Sequence, residues 1–235
     1  MIQVDSLLYK IDLKLNKLST NDHQQIPLEN KILALNEAQL KLIKQRMEDT
    51  SSKRHYEDLQ KLIEGHEDHP LELREVDTQL HKWITTSLSL LTPAYMFYED
   101  SYILADKGRC KNHKIWINKD LANYGDLQFI LNNDHYKPSF EYQETFNFVS
   151  SDELSIFTDG TFIPTVLYLS YIRYPKYIDK EGYVKLDGTN SINQDCELKA
   201  YLEDDLVDLT VEGLAMYTEN VTAIQTAQMR IKENN

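Results

Sequence analysis

The side chains best placed for chemistry in this chain of 235 residues begin with His66-Glu67-Asp68-His69. Two imidazoles and two carboxylates are the donor types that converge on a divalent cation, but His69 precedes Pro70 and the run "HEDHPLELREVD" reads as a polar linker. A solvated loop is the favoured reading there. Cys110 and His113 have half of a zinc site's spacing, with no second pair to close a tetrahedral shell, so "DKGRCKNH" reads as a hairpin turn. Glu203, Asp204, Asp205, Asp208 and Glu212 are numerous enough to pair as acid and base. The helical period puts most of them on a solvated face, and the first three lie in a helix's first turn, where negative charge meets the dipole favourably. No glycine-rich phosphate cradle or nucleophile elbow accompanies these groups, so the expectation is a non-enzyme with no catalytic residue, metal site or cofactor.

Aromatic side chains are the remaining candidates. "YLSYIRYPKYIDKEGY", from Tyr168 to Tyr183, could stack on sugars or bases, yet on an alternating strand half of these rings belong to a core. Tyr and Arg dominate interface hot spots, so Tyr171, Arg173 and Tyr177 are expected to face outward as a contact surface. The apolar side of the first helix, at Leu7, Leu8, Ile11 and Leu15, is the second candidate interface.

The elements that must position these residues follow from periodicity. Val4, Leu7, Leu8, Ile11, Leu15 and Leu18 recur at helical spacing over residues 3–18. A second helix starts at Pro27, which suits a first turn, and continues through Ile32, Leu35, Leu42, Ile43 and Met47. A third is expected over "KRHYEDLQKLIEG", stopping at Gly65. The middle of the chain is rich in Tyr, Phe, Ile and Thr in short bursts, and strands are expected near Trp83–Ser89, Ala94–Phe97, Tyr102–Ala105 and Lys114–Ile117. "TVLYLSYIRY" alternates plainly, Asp159-Gly160 signals a hairpin, and "DLQFILNN" suggests a short helix. Pro175 lacks a backbone donor and marks where sheet pairing stops. A last helix carries Leu202, Leu206, Leu209, Gly213, Met216, Tyr217, Val221 and Ile224 on one stripe.

The expected class is therefore α+β: N-terminal amphipathic helices, a central antiparallel β-sheet or small sandwich, and a C-terminal helix. Residues 1–66 form the helical region and residues 67–235 the β-rich domain with its helix.

Charge narrows the function classes. The formal net charge is −13, and residues 1–66 are balanced, so the whole excess lies in residues 67–235. An acidic surface repels the phosphate backbone, which excludes a sequence-reading DNA binder but would let a polyanion pass without sticking. Cys110 and Cys196 are too few for a disulfide scaffold and read as free thiols in a reducing cytosol. The uncharged stretch Trp83–Tyr98 falls short of the ~20 apolar residues that span a bilayer. Asn220-Val221-Thr222 is a chance sequon inside a helix.

"SIFTDGTFIPTVLYLSYIRYPKYID", followed by a short hairpin and "DCELKAYLEDDLVDLTVEGLAMYTEN", resembles a pattern in virion proteins of tailed phages, the crAss-like phages above all. In that pattern an alternating strand ends in Tyr-Ile-Arg-x-Pro and a Cys-Glu-Leu stretch leads into a helix with an acidic start. The likeness covers roughly residues 130–230 and includes "YKPSF" near Tyr136. It implies a podovirus-type head-to-tail connector or ring protein of the virion, assembled in the host cytoplasm. Its expected partners are further copies in a homo-oligomeric ring, expected to be twelve-fold, together with the portal and other tail proteins. DNA would pass through without sequence-specific binding, and no membrane is involved. The competing reading from the residues is a carbohydrate-active or receptor-binding β-domain.

Overall fold

The computed structural model describes residues 1–18, 26–48, 57–65, 69–117, 125, 127–150, 152–185 and 188–217. The architecture is α+β, with helices at both ends of the chain and a mixed sheet between them. Two compact units divide it: Met1–Lys61 with Pro175–Asn235, and Leu62–Tyr174. The boundary expected at residue 66 is thus replaced by a discontinuous unit. The cause is that helices α1 (Val4–Leu18) and α2 (Leu28–Glu48) close their apolar faces on the last helix, Glu203–Tyr217.

In this helical unit Leu7 and Ile11 of α1 are fully buried, as are Ile32, Leu35 and Ile43 of α2 and Leu206 and Val207 of the last helix. The Asp195 carboxylate accepts a hydrogen bond from the Val4 amide at 3.0 Å, satisfying an orphan donor at the start of α1. Asn36 acts as a two-way clamp: its side chain donates to the Ile178 carbonyl at 2.9 Å and accepts from the Ile178 amide at 2.8 Å. Asp179 ties the loop that follows Pro175, accepting from the Tyr183 hydroxyl at 2.8 Å and the Ile192 amide at 3.1 Å, with Lys185 Nζ 2.7 Å away.

The other unit is a sheet. Its strands are β1 (Ile63–Glu64), β2 (Pro70–Asp77), β3 (Lys82–Thr85), β4 (Tyr95–Lys107), β5 (Cys110–Ile117), β6 (Glu144–Thr145), β7 (Asn147–Ser150), β8 (Glu153–Phe157) and β9 (Ile163–Arg173). Hydrogen bonding runs β6-β5-β4-β9-β2-β3-β8-β7, with β1 pairing β9 beyond the end of β2. Only Phe146 separates β6 from β7, so the two ends of the path are one stretch of chain. The sheet closes on itself as a barrel, antiparallel except where β5 meets β6. Closure follows the patterning: Ile103, Ala105, Ile115, Ile117, Leu154, Ile156, Leu167, Leu169 and Tyr171 alternate inward into one core. Outside the barrel, helix α3 (Leu127–Asn132) lays Ile130 against Phe146, Phe148 and Phe157.

Several expectations change. The polar linker is strand β2, because Leu71 and Leu73 alternate into the core between charged neighbours. The third helix ends before Gly65: its last turn tightens over Gln60–Leu62, and Ile63 and Glu64 pair with Ile172 and Tyr171. Its Tyr56 lies outside the described residues. Asp159-Gly160 is not a hairpin, since β8 pairs with β3 and β7 while β9 pairs with β4 and β2. Gly160 is favoured there all the same, since its φ is +76° and a Cβ would run into the His81 imidazole. The last helix is described to Tyr217, and Asn220, Val221 and Ile224 fall outside the described residues.

Candidate functional site

The outer wall of β5, β4 and β9 carries the chain's most distinctive surface. Side chains alternate along a strand, so residues between the buried Ile115, Ile103 and Leu167 must face away from the core. They are Lys114, Trp116, Tyr102, Leu104, Val166 and Tyr168. The register sets Trp116 opposite Tyr102, Tyr102 opposite Tyr168, and Tyr168 opposite Pro70, which makes one row across four strands. Tyr102 stacks on Tyr168 with ring centres 5.0 Å apart and planes 15° from parallel. Trp116 meets Tyr102 edge-on at 5.7 Å. Lys114 Nζ lies 3.7 Å from the Tyr102 ring centre and 4.0 Å from that of Trp116.

Cross-strand pairs of this kind contribute ~0.2–1 kcal/mol each, and an exposed cation over a ring about 0.5–1 kcal/mol, so the row steadies the sheet. Trp116 remains 48% exposed, while Tyr102 and Tyr168 are half-buried. The hairpin above the row is cationic: Lys107, Arg109, Lys111 and Lys114 stand against the one carboxylate of Asp106. Asp106 lies 2.8 Å from Lys111 Nζ, whose hydrogen bond, with that of the Asn112 amide, holds its carboxyl below the usual carboxylate range. Lys107 pairs with Glu141 at 2.6 Å.

The residues expected to form the interface are placed differently. Tyr171 shares the face of Leu167 and Leu169, which is the barrel interior; it is fully buried and donates its hydroxyl to the Pro93 carbonyl at 2.6 Å. Burial, and then the charge of Glu64, push that phenol up to about 12. Arg173 is held at the barrel end by Glu64, Nε to Oε1 2.9 Å. Leu7 and Ile11 are closed within their own helical unit, and Leu8 and Leu15 are half-buried. Tyr177 alone of the set is exposed, with Lys185 Nζ 5.7 Å from its ring.

The acidic run is not a solvated face. Lys10 reaches Glu203 at 3.1 Å and Asp204 at 3.0 Å, Lys14 reaches Asp208 at 2.7 Å, Lys41 reaches Glu212 at 2.9 Å, and Arg46 reaches Asp205 at 2.8 Å. Asp208 and Glu212 are buried. The hydrogen bond from Lys10 holds Asp204 below the carboxylate range, whereas burial raises Asp205 despite Arg46. These carboxylates tie helices together.

Of the metal candidates, His66, Glu67 and Asp68 lie outside the described residues. His69 sits edge-on to Tyr171 at 5.0 Å, with Nε2 3.8 Å from Glu64. Cys110 is exposed and His113 packs on Phe140 at 4.9 Å. Among the described residues no group of three or more His, Cys, Asp or Glu could hold a metal ion. Cys196 is buried, which pushes its thiol up to about 11. No described helix is long and apolar enough to cross a membrane.

Sequence reasoning passed over Trp116, Tyr102 and Lys114. The signal available was the parity of "KIWI": buried Ile115 and Ile117 oblige Lys114 and Trp116 to point the other way. Neither protein-family models nor the sequences of curated proteins match this chain.

Proposed function

We propose that this chain is a structural virion protein, a subunit of an oligomeric ring at the head-to-tail junction or tail of a tailed phage. It would form part of the DNA conduit next to the portal. The observation that carries this reading is the outward row of exposed Trp116 and half-buried Tyr102 and Tyr168, rings of the types that dominate interface hot spots. The resemblance over residues 130–230 supplies the kind of assembly. Barrel closure fits it as well, because a closed sheet offers little edge for strand addition and leaves assembly to side-chain surfaces.

The carbohydrate-active or receptor-binding alternative would draw on the same rings. Lys114 lies close over both Tyr102 and Trp116, occupying faces on which a sugar would stack, and this favours a protein contact. An acidic conduit lining, if the ring has one, would come mainly from carboxylates other than the last helix's acidic run, since that run is engaged in ion pairs.

Quantitative peptide mass spectrometry of purified particles tests the proposal. Copies near one per portal chain, or a small whole multiple, are expected; absence from the particle overturns it.

A further inference from the structure

The two sides of the short helix α3 have different tasks. Leu127, Ile130 and Leu131 pack on Phe146, Phe148 and Phe157, so the contacts that hold the helix to the barrel are made on that side. The other side carries Gln128 and Phe129, with Asn132 one turn on from both, and all three are exposed. Phe129 is 61% exposed, a ring that the fold does not use as core.

The turn that follows shares a cleft with this face. The Asn133 amide donates to the Ile130 carbonyl at 3.3 Å, and the Tyr136 and Lys137 amides donate to the Asn133 carbonyl at 3.1 and 2.9 Å. The Asn133 side chain accepts from the His135 amide at 2.9 Å. These bonds fix one wall of a cleft of about 530 Å³, lined by Gln128, Phe129, Asn132, Asn133, Asp134 and His135. That volume lies within the range of small-molecule sites. Tyr136 stands beside it, its ring centre 6.0 Å from that of Phe129 and the planes 40° apart.

The lining selects an occupant by what it offers and what it lacks. The side-chain amides of Gln128 and Asn132 each offer donor and acceptor, and they are hydrogen-bonded to no described residue. Asp134 adds acceptor oxygens, and the hydrogen bond from Lys137 at 2.6 Å holds its carboxyl below the usual carboxylate range. That pair cancels in charge, and the lining itself contains no lysine or arginine, so nothing here draws a phosphate or a carboxylate ligand. An apolar occupant would cover the free amides without giving them partners. A neutral saccharide meets both conditions. The C–H face of a pyranose packs on an aromatic ring, and its neighbouring hydroxyls, each donor and acceptor, match planar amides and a carboxylate.

We infer that this cleft binds a neutral saccharide, with Phe129 and Tyr136 as the stacking rings and Gln128, Asn132 and Asp134 holding the hydroxyls. A β-linked glucoside fits best, because its equatorial hydroxyls leave both faces of the ring to C–H groups. The site uses none of the residues of the Trp116 row and is independent of the ring reading, so absence of the chain from particles would leave it standing.

Saturation-transfer difference NMR on the full-length protein tests it, with cellobiose in excess and adenosine as the competing flat ligand. Saturation should reach the ring C–H protons of cellobiose; transfer to adenosine alone, or to neither, overturns the proposal. Phe129→Ala and Asn132→Ala change exposed side chains, so both variants should keep the wild-type fluorescence transition while binding cellobiose about three- to tenfold more weakly. Tyr9→Ala removes a ring that is 69% exposed on the helical unit and should leave binding unchanged. Equal weakening by Tyr9→Ala, or none by the two cleft variants, would mean that the sugar meets exposed rings at large and would overturn the site.

Discussion

The helical unit and the barrel bury polar groups in opposite ways. Among the described residues every buried carboxylate, at Asp58, Asp179, Asp208 and Glu212, belongs to the helical unit. The buried polar residues of the barrel are neutral: Thr85, Ser101, Thr145, Asn147, Ser155, Thr158 and Ser170. Inside it the Tyr98 hydroxyl and Ser101 Oγ are 2.7 Å apart, and Asn147 donates to Ser101 at 3.2 Å. Burial pushes the Tyr98 phenol up to about 12, so this network keeps its protonation across the physiological range. A unit held by charges answers to pH, and one held by apolar area and neutral hydrogen bonds answers to volume.

The largest effect should come from volume. Tyr171→Ala removes a fully buried ring packed on His69 and Tyr95 and should destabilise the barrel by about 3–5 kcal/mol. Tyr171→Phe keeps the ring but leaves the Pro93 carbonyl without its donor, and should cost about 0.5–1.5 kcal/mol. Both tryptophans, Trp83 and Trp116, lie in the barrel unit, so denaturation followed by tryptophan fluorescence reads this directly. Equal losses for the two variants would mean the hydroxyl, not the ring, is what the barrel needs.

Next comes the charged unit. Asp208→Ala strips Lys14 of a buried partner 2.7 Å away. Lys14 keeps some solvent contact, so the loss should be about 1–3 kcal/mol rather than the ~3–5 kcal/mol of a fully enclosed pair. A double-mutant cycle with Lys14→Met, read by helical circular dichroism, checks it; zero coupling would break the contrast between the units.

What the sequence made legible follows the same divide. Helical period and Pro27 place α1, α2 and the start of the last helix, because those signals are local. The same period shows that Asp208 and Glu212 flank an apolar stripe, but not that Lys14 and Lys41 lie across from them. A solvated face and an ion-paired one are identical in one helix's sequence. Parity tells which residues of β9 share a face but not which face is the interior, so sequence alone sets Tyr171 outside where the structure buries it. Strand β2 was hidden by its charged outward residues and by the bulge between Glu75 and Asp77.

Acid should separate the units. Asp179 is buried, which alone would raise its pKa, but Lys185, the Ile192 amide and the Tyr183 hydroxyl outweigh that and hold it low. A carboxyl whose folded pKa is depressed contributes stability that is complete above its unfolded value, 3.8, and is lost as pH falls through the folded value. Asp204 has the same sign; Asp205, raised by burial, has the opposite one and favours the fold when protonated. Asp106, Asp134, Glu141 and Asp152 of the barrel unit are held low as well, but none of them is buried and their partners are screened by solvent. The buried Asp179 should therefore dominate, and helical circular dichroism should decay below pH ~4 before tryptophan fluorescence does. Asp179→Asn should flatten that decay. Fluorescence lost first would reverse the assignment of charge to the helical unit.

The smallest effect on stability should fall on the residue with the largest effect on assembly. Trp116 is half-exposed, so Trp116→Ala forfeits its edge contact with Tyr102 and part of Lys114's seat, about 0.2–1 kcal/mol. A cost that small leaves the barrel folded, and the variant's fluorescence transition, now reported by Trp83 alone, should shift little. Copies of the variant per portal chain in purified particles should nevertheless fall, because an aromatic anchor at the centre of a contact carries far more of the binding energy than of the fold. If Trp116→Ala instead costs several kcal/mol, the outer row is a second core of the barrel, and the outward aromatic face cannot be counted as a surface kept for a partner.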